Sequence, residues 1–236
     1  MLKTILFDLD GTLLPMDQDE FIRDYFQRLA QKVSPLGYEP KELIDTVWAG
    51  TKAMVKNNGA QSNEEAFWAV FVQRYGEEAL RDRPAFDEFY RVEFQKVAGV
   101  CGRNPVAREA VETLRLMGFR LALATNPLFP EVATRSRVRW AGLEPEWFEY
   151  ITTYENSRYC KPNSAYYGDI LTQLACTGDE CLMVGNDVGE DMTAAKLGMR
   201  VFLLTDCLIN RNGEDISAYP HGGFPELLDF VRTMTA

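Results

Sequence analysis

Asp8 and Asp10, in the run Asp8-Leu9-Asp10-Gly11-Thr12, are the residues whose types and spacing offer chemistry most directly. They follow the apolar stretch Thr4-Ile5-Leu6-Phe7, which reads as a buried strand ending in a glycine turn. Residues two apart in a strand point to the same side, so the two carboxylates converge where strand gives way to loop. Two anions that close repel unless a cation or a shared proton lies between them. An ordinary Asp-Gly turn accounts for Asp10 and Gly11 but gives no reason for Asp8. Three later runs carry matching chemistry. Thr125-Asn126 offers a hydroxyl and a backbone N–H to a phosphate oxygen, Lys161-Pro162 a single cation, and Gly185-Asn186-Asp187 further oxygen ligands, with Glu190 and Asp191 close behind. Each alone has a plain explanation as a helix cap or a solvated lysine. Their joint order carries the weight.

The elements that must position these residues are legible from periodicity. Residues 3–8 read as the first strand. From Asp17 to about Gly99 the pattern is helical, with Asp17 and Glu20 at capping spacing and Phe21, Ile22, Tyr25, Phe26 and Leu29 on one stripe. Ser62 and Glu65 repeat that spacing before Phe67, Trp68, Phe71 and Val72. After Gly102 the texture changes. Asn104-Pro105 opens a helix that runs to Met117 and stops at Gly118, and residues 119–124 read as a buried strand. Helices near 130–140, 164–174 and 190–197 then alternate with strands near 150–153, 181–184 and 200–204. Such alternation predicts an α/β fold, a Rossmann-like parallel sheet with helices on both faces. The helical block is an insertion between its first two strands, so a core of residues 1–14 and 100–236 carries a helical cap of residues 15–99. In open sheets of this kind ligands sit at the carboxyl ends of the strands, where the four runs fall.

Composition narrows the function. The 236 residues carry a formal net charge of −10, which opposes nucleic acid or an anionic membrane surface as partner. Five cysteines, with no C-x-x-C pair, indicate neither a disulfide framework nor zinc. Residues 1–7 are too short for a signal segment and no stretch approaches the ~20 apolar residues of a membrane span, so a cytoplasmic location is expected. The single histidine, His221, lies in Pro220-His221-Gly222-Gly223 and reads as a surface turn residue.

Taken in order, Asp-x-Asp-Gly-Thr, Thr-Asn, Lys-Pro and Gly-Asn-Asp with a further Asp resemble the haloacid dehalogenase (HAD) superfamily, specifically its phosphatase-like members with a helical cap after the first motif. The resemblance covers the whole chain. It implies a hydrolase of small phosphorylated metabolites with Asp8 as nucleophile, Asp10 as general acid and base, and Thr125, Asn126 and Lys161 on the phosphoryl group. Mg2+ would be bound by Asp8, Asp10 through its carbonyl, and Asp187. Where the family often has Asp after the glycine, this chain has Asn186, so Asn186 and Asp191 stay open as metal ligands. Cap candidates for substrate choice are Met16, Asp17, Trp48, Lys52 and Lys56, with Trp48 read as core and the lysines as a solvated face.

Other readings are a phosphomutase of the β-phosphoglucomutase type, a 2-haloacid dehalogenase, a phosphonate-cleaving enzyme using Lys52 or Lys56, and a non-catalytic interaction protein. A halide leaving group needs no acid and no metal, which counts Asp10 and Asp187 against dehalogenation.

Overall fold

Leu6 shows how the sheet is held: its side chain packs into one apolar layer while Ile5 and Phe7 pack into the other. Successive strand residues point to opposite faces, so a strand apolar at every position must be covered twice. The computed structural model describes residues 1–235. In it β1 (Thr4–Phe7) lies at the centre of a six-stranded parallel sheet. Its neighbours are β2 (Arg120–Leu123) and β4 (Cys181–Gly185). β3 (Tyr150–Ile151) extends one side, and β5 (Arg200–Leu204) and β6 (His221–Gly222) the other, giving the order β3-β2-β1-β4-β5-β6. The chain runs outward from β1 in one direction and from β4 in the other. The switch point therefore lies between them, where Asp8 and Asn186 emerge.

Helices α5 (Pro105–Leu116) and α8 (Phe224–Thr235) cover the face of Ile5 and Phe7, and α7 (Ser164–Gln173) covers that of Leu6. α6 (Glu131–Trp140) joins the first face through Val138 and touches the helical block through Ala133.

That block holds α1 (Gln18–Val33), α2 (Pro40–Val55), α3 (Asn63–Tyr75) and α4 (Arg83–Arg91) around an aromatic core of Phe21, Tyr25, Trp68, Phe71, Phe86 and Phe89. It is the all-helical cap, inserted between β1 and β2. Its entry and exit lie side by side: Gly102 N donates to Pro15 O at 2.7 Å, and Met16 bridges Cys101. Ser62 and Glu65 form a reciprocal capping box on α3, whereas at α1 the Asp17 carboxylate accepts from Glu20 N without the return bond. The start of α3 also ties cap to core. Asn63 is fully buried, its N donates to Ser157 O at 2.8 Å, and its Nδ2 donates to Pro127 O at 3.2 Å.

Three local expectations change. The helix near 190–197 is a 3-10 stretch of six residues, Met192–Leu197. Asp187 Oδ1 accepts from Gly189 N at 2.8 Å and Glu190 N at 3.0 Å, so a tight turn takes up the residues before it. His221, expected in a turn, is exposed but starts the short edge strand β6, and two residues carry no readable alternation. Trp48, read as core, is 47% exposed, although it packs 5.5 Å from Phe26.

Phe94 joins the two halves: fully buried, its ring lies 4.9 Å from Trp140 of α6 and 6.1 Å from Tyr25 of α1. Phe94→Ala is expected to lower stability by about 3–5 kcal/mol, because a rigid aromatic layer on two sides cannot collapse into the space. The shift of the urea unfolding midpoint checks it.

Candidate active site

At the end of β1 the Asp8 carboxylate is held on both oxygens. Lys161 Nζ donates to Oδ1 at 2.8 Å, and the Thr12 hydroxyl lies 3.0 Å from Oδ2 and 2.9 Å from Asn186 Oδ1, free to donate to either. Lys161 also donates to Asp191 Oδ1 at 2.7 Å, and both residues are buried. Burial pulls the lysine pKa down, but Asp191 and Asp8 outweigh it and hold the ammonium charged. Burial raises the pKa of Asp191, against the pull of Lys161. Asp191 Oδ2 accepts from Asp187 N at 2.9 Å, so this carboxylate braces the lysine and the strand end together.

Glycine is required at two places around this cluster. A Cβ on Gly185 would meet Asp191 Oδ2 at 2.1 Å, and one on Gly11 would meet Asn186 Nδ2 at 2.4 Å, where φ is also +82°.

Asp10 stands two residues on and pairs with Arg137, a fully buried arginine of α6. The Arg137 guanidinium also lies 4.4 Å from the Phe129 ring and donates to Thr134 Oγ1 at 3.3 Å. Asp10 Oδ1 is buried without a protein partner. Burial pushes the Asp10 pKa up, and Arg137 pulls it back.

The remaining sequence candidates converge on the same place with different partners. Asp187 Oδ2 meets Arg211 Nη1 at 2.6 Å. Asn186 Nδ2 donates to Cys207 O at 2.6 Å. The Thr125 carbonyl accepts from Thr152 Oγ1 at 2.7 Å and Tyr166 OH at 2.8 Å, fixing the end of β2. Asn126 works mainly as a brace, its Oδ1 accepting from Lys161 N at 3.2 Å and its Nδ2 donating to Glu190 Oε2 at 3.1 Å.

These residues border a cavity of about 250 Å³ that runs from the strand ends into the cap. A single water needs only ~10–15 Å³, so the space is ligand-sized. Asp8, Asp10, Thr125, Asn126, Asn186 and Asp187 line its core end. Of the cap candidates Met16 and Trp48 line it, while Asp17, Lys52 and Lys56 do not.

Arg137 escaped the sequence reading because it sits in the basic run Arg135, Arg137, Arg139, which looks like a solvated face. The available signal was spacing: Ala133 precedes it by four and Ala141 follows by four, so all three share the buried side of α6.

Carboxylates at the end of the central strand, a lysine from the loop after β3 and an acidic turn after β4, all under a helical cap, define a family. The chain belongs to the haloacid dehalogenase-like hydrolases, whose family model matches residues 2–198. It is therefore an enzyme of the hydrolase class. It is similar to the phosphoglycolate phosphatase of Vibrio parahaemolyticus, 27% identical over 242 residues, covering 98% of this chain and 96% of that protein. The pyrophosphatase PpaX of Halalkalibacterium halodurans is 25% identical over 235 residues, covering 98% and 97%. Among solved structures, the 2-haloacid dehalogenase of Pseudomonas syringae pv. Tomato DC3000 shares the fold with a TM-score of 0.65 at 18% identity, covering 99% of this chain and all of that one.

Lys161→Met removes the one cation between two buried carboxylates, and a loss of about 3–5 kcal/mol in stability is expected. Adding Asp191→Asn should restore part of it, since one of the stranded charges is gone. Urea unfolding of both variants without added metal checks this, and an equally unstable double variant would contradict the charge argument.

Proposed function

We propose that the protein is a Mg2+-dependent phosphatase of small phosphate monoesters that works through an aspartyl-phosphate on Asp8, with residues 15–99 as the lid over a catalytic core of residues 1–14 and 100–236. The observation that carries this reading is the Asp8 carboxylate at the core end of the cavity, gripped by Lys161 and Thr12, with Asp10 beside it on the lining. Phosphatase relatives that match nearly end to end support it.

A phosphomonoester is a dianion, and Asp8 must approach it as an anion. Lys161 offsets part of that repulsion and also fixes the carboxylate's direction, so little reorganisation is left for the moment of attack. An oxygen of Asp8 attacks phosphorus, the bond from phosphorus to the ester oxygen breaks, and Asp10 hands its proton to the departing alkoxide. Water then attacks the phosphorus of the acyl phosphate, Asp10 takes a proton from it, and Asp8 leaves as a carboxylate with inorganic phosphate released. Burial favours the protonated form of Asp10 needed for the first step, and Arg137 steadies the charged form needed for the second.

The donor set fits Mg2+. Asp8 and Asp187 present hard carboxylate oxygens to one cavity, and the Asp10 carbonyl would be the third protein ligand. Among the described residues no three His, Cys, Asp or Glu side chains group into a ready-made metal centre. Mg2+ characteristically takes one or two carboxylates and leaves its other positions to water and phosphate oxygens. Asp191 is committed to Lys161 on one oxygen and to Asp187 N on the other, which leaves Asp187, on release of Oδ2 from Arg211, and Asn186 through its Oδ1 as the ligands this turn can offer. When bound, the metal would neutralise the phosphate oxygens during transfer.

A cytoplasmic location is part of the reading, supported by five free cysteines. Among the described residues no helix is long and apolar enough to cross a membrane.

Asp8→Asn preserves volume and removes the attacking charge. Phosphate release from a generic aryl phosphate is expected to vanish in the folded variant, and to vanish in the wild type under excess EDTA and return with added Mg2+. Wild-type turnover in Asp8→Asn would remove the covalent step, and undiminished turnover in EDTA would remove the metal.

A further inference from the structure

The cavity fixes which end of a substrate goes where. Phosphorus must sit beside Asp8, and the cavity continues from there into the cap, so the alcohol half of the ester occupies the cap end. The wall it meets there is apolar and largely aromatic. Phe21, Ile22 and Tyr25 come from α1, Trp48 from α2, and Phe67 and Trp68 from α3. Tyr25 and Tyr90 add two hydroxyls that hydrogen-bond each other at 2.9 Å, and burial raises the pKa of both, to about 12 for Tyr25. They remain neutral.

No cation of the cap lines this space, although the cap is rich in them. Arg28 is paired with Asp24 at 2.7 Å, Lys32 with Glu88 at 3.1 Å, and Arg74 with Glu42 at 2.8 Å. Lys52 and Lys56 are exposed and off the cavity. The one basic residue on the lining is Arg211 from the core, tied to Asp187 at 2.6 Å with its side chain 61% exposed. Of the six carboxylates on the lining, Asp8, Asp10, Asp187, Glu190 and Asp191 belong to the core end, where Lys161, Arg137 and Arg211 pair with four of them, and Asp87 is the one contributed by the cap.

A carboxylate or second phosphate on the alcohol half would therefore be desolvated beside aromatic rings, with no cationic partner from the cap and with Asp87 as the charged side chain the cap presents. A ring or alkyl chain would instead gain from leaving water and from edge or face contact with the aromatic wall. A site lacking the partner for a charged group discriminates strongly against that group, because the mismatch is a buried unpaired charge.

We propose that the substrate is a phosphate monoester of an uncharged, apolar or aromatic alcohol, and that esters bearing a second anion are poor substrates. This rests on the phosphatase reading above. It departs from the substrates in the names of the similar phosphoglycolate phosphatase and pyrophosphatase, each of which carries an additional anionic group.

The test uses two aryl phosphates that share a carbon skeleton and a leaving-group acidity, 4-propylphenyl phosphate and 4-(2-carboxyethyl)phenyl phosphate, with the wild-type enzyme and Mg2+. At least a tenfold higher kcat/KM is expected for the propyl ester. Thr51 lines the cavity on α2, half-buried, and Thr51→Lys places an ammonium at the cap end. In that variant the ratio should fall at least tenfold through improved KM for the carboxyethyl ester. Equal kcat/KM for the two esters in the wild type, or a preference for the carboxyethyl ester, would overturn the inference while leaving the phosphatase reading intact. Phosphate release from neither ester would overturn that reading and this inference with it.

Discussion

Lys161 Nζ sits 2.8 Å from Asp8 and 2.7 Å from Asp191, and its side chain is 1% exposed. Three charges held this far from water are costly unless each keeps its partner, and removing the lysine strands both carboxylates. Much of the surrounding structure maintains that contact. Gly185 must lack a side chain so that Asp191 can lie across the end of β4, and Asn126 reaches from the end of β2 to hold the lysine's backbone. Asp191 ties back to Asp187 N, so the acidic turn and the lysine loop move as one unit. β1 occupies the centre of the sheet, bonded on both sides, which makes it the least deformable place from which to present a carboxylate.

The neighbouring acid is treated differently. Asp8 has a lysine and a hydroxyl on its two oxygens; Asp10 has an arginine on one, and its other oxygen is buried without a partner. Burial thus raises the proton affinity of Asp10, and Arg137 opposes it. Arg137 comes from α6, which also packs against the cap through Ala133. The helix that holds the second acid is therefore in contact with the cap. The cap in turn contributes aromatic surface to the cavity and no positive charge.

Much of this was legible in the residues. Asp8, Lys161, Asp187 and Asp191 meet as their order along the chain implies, because a parallel sheet brings strand ends to one edge whatever the sequence distance between them. The helical block was equally plain, since Phe21, Tyr25, Phe26 and Leu29 repeat at helical spacing along α1. Other features depend on partners far away in sequence. Arg137 could not be told from Arg135 and Arg139 without knowing that α6 faces Asp10. Trp48 has the composition of a core residue but lies where α2 borders the cavity. Lys52 and Lys56 share a helix face, as their spacing implies, and that face points away from the cavity. The short β6 has too few residues for any alternation to register.

The proposed reaction consists of two successive displacements at phosphorus, the first by Asp8. The stereochemical course with a phosphorothioate ester made chiral by oxygen isotopes and hydrolysed in water of the third isotope tests it most directly, because the chirality of the released thiophosphate reads the number of displacements whether or not an intermediate accumulates. Retention of configuration is the predicted result. Inversion would mean that water attacks the ester directly, with Asp8 reduced to a ligand, and would contradict the account.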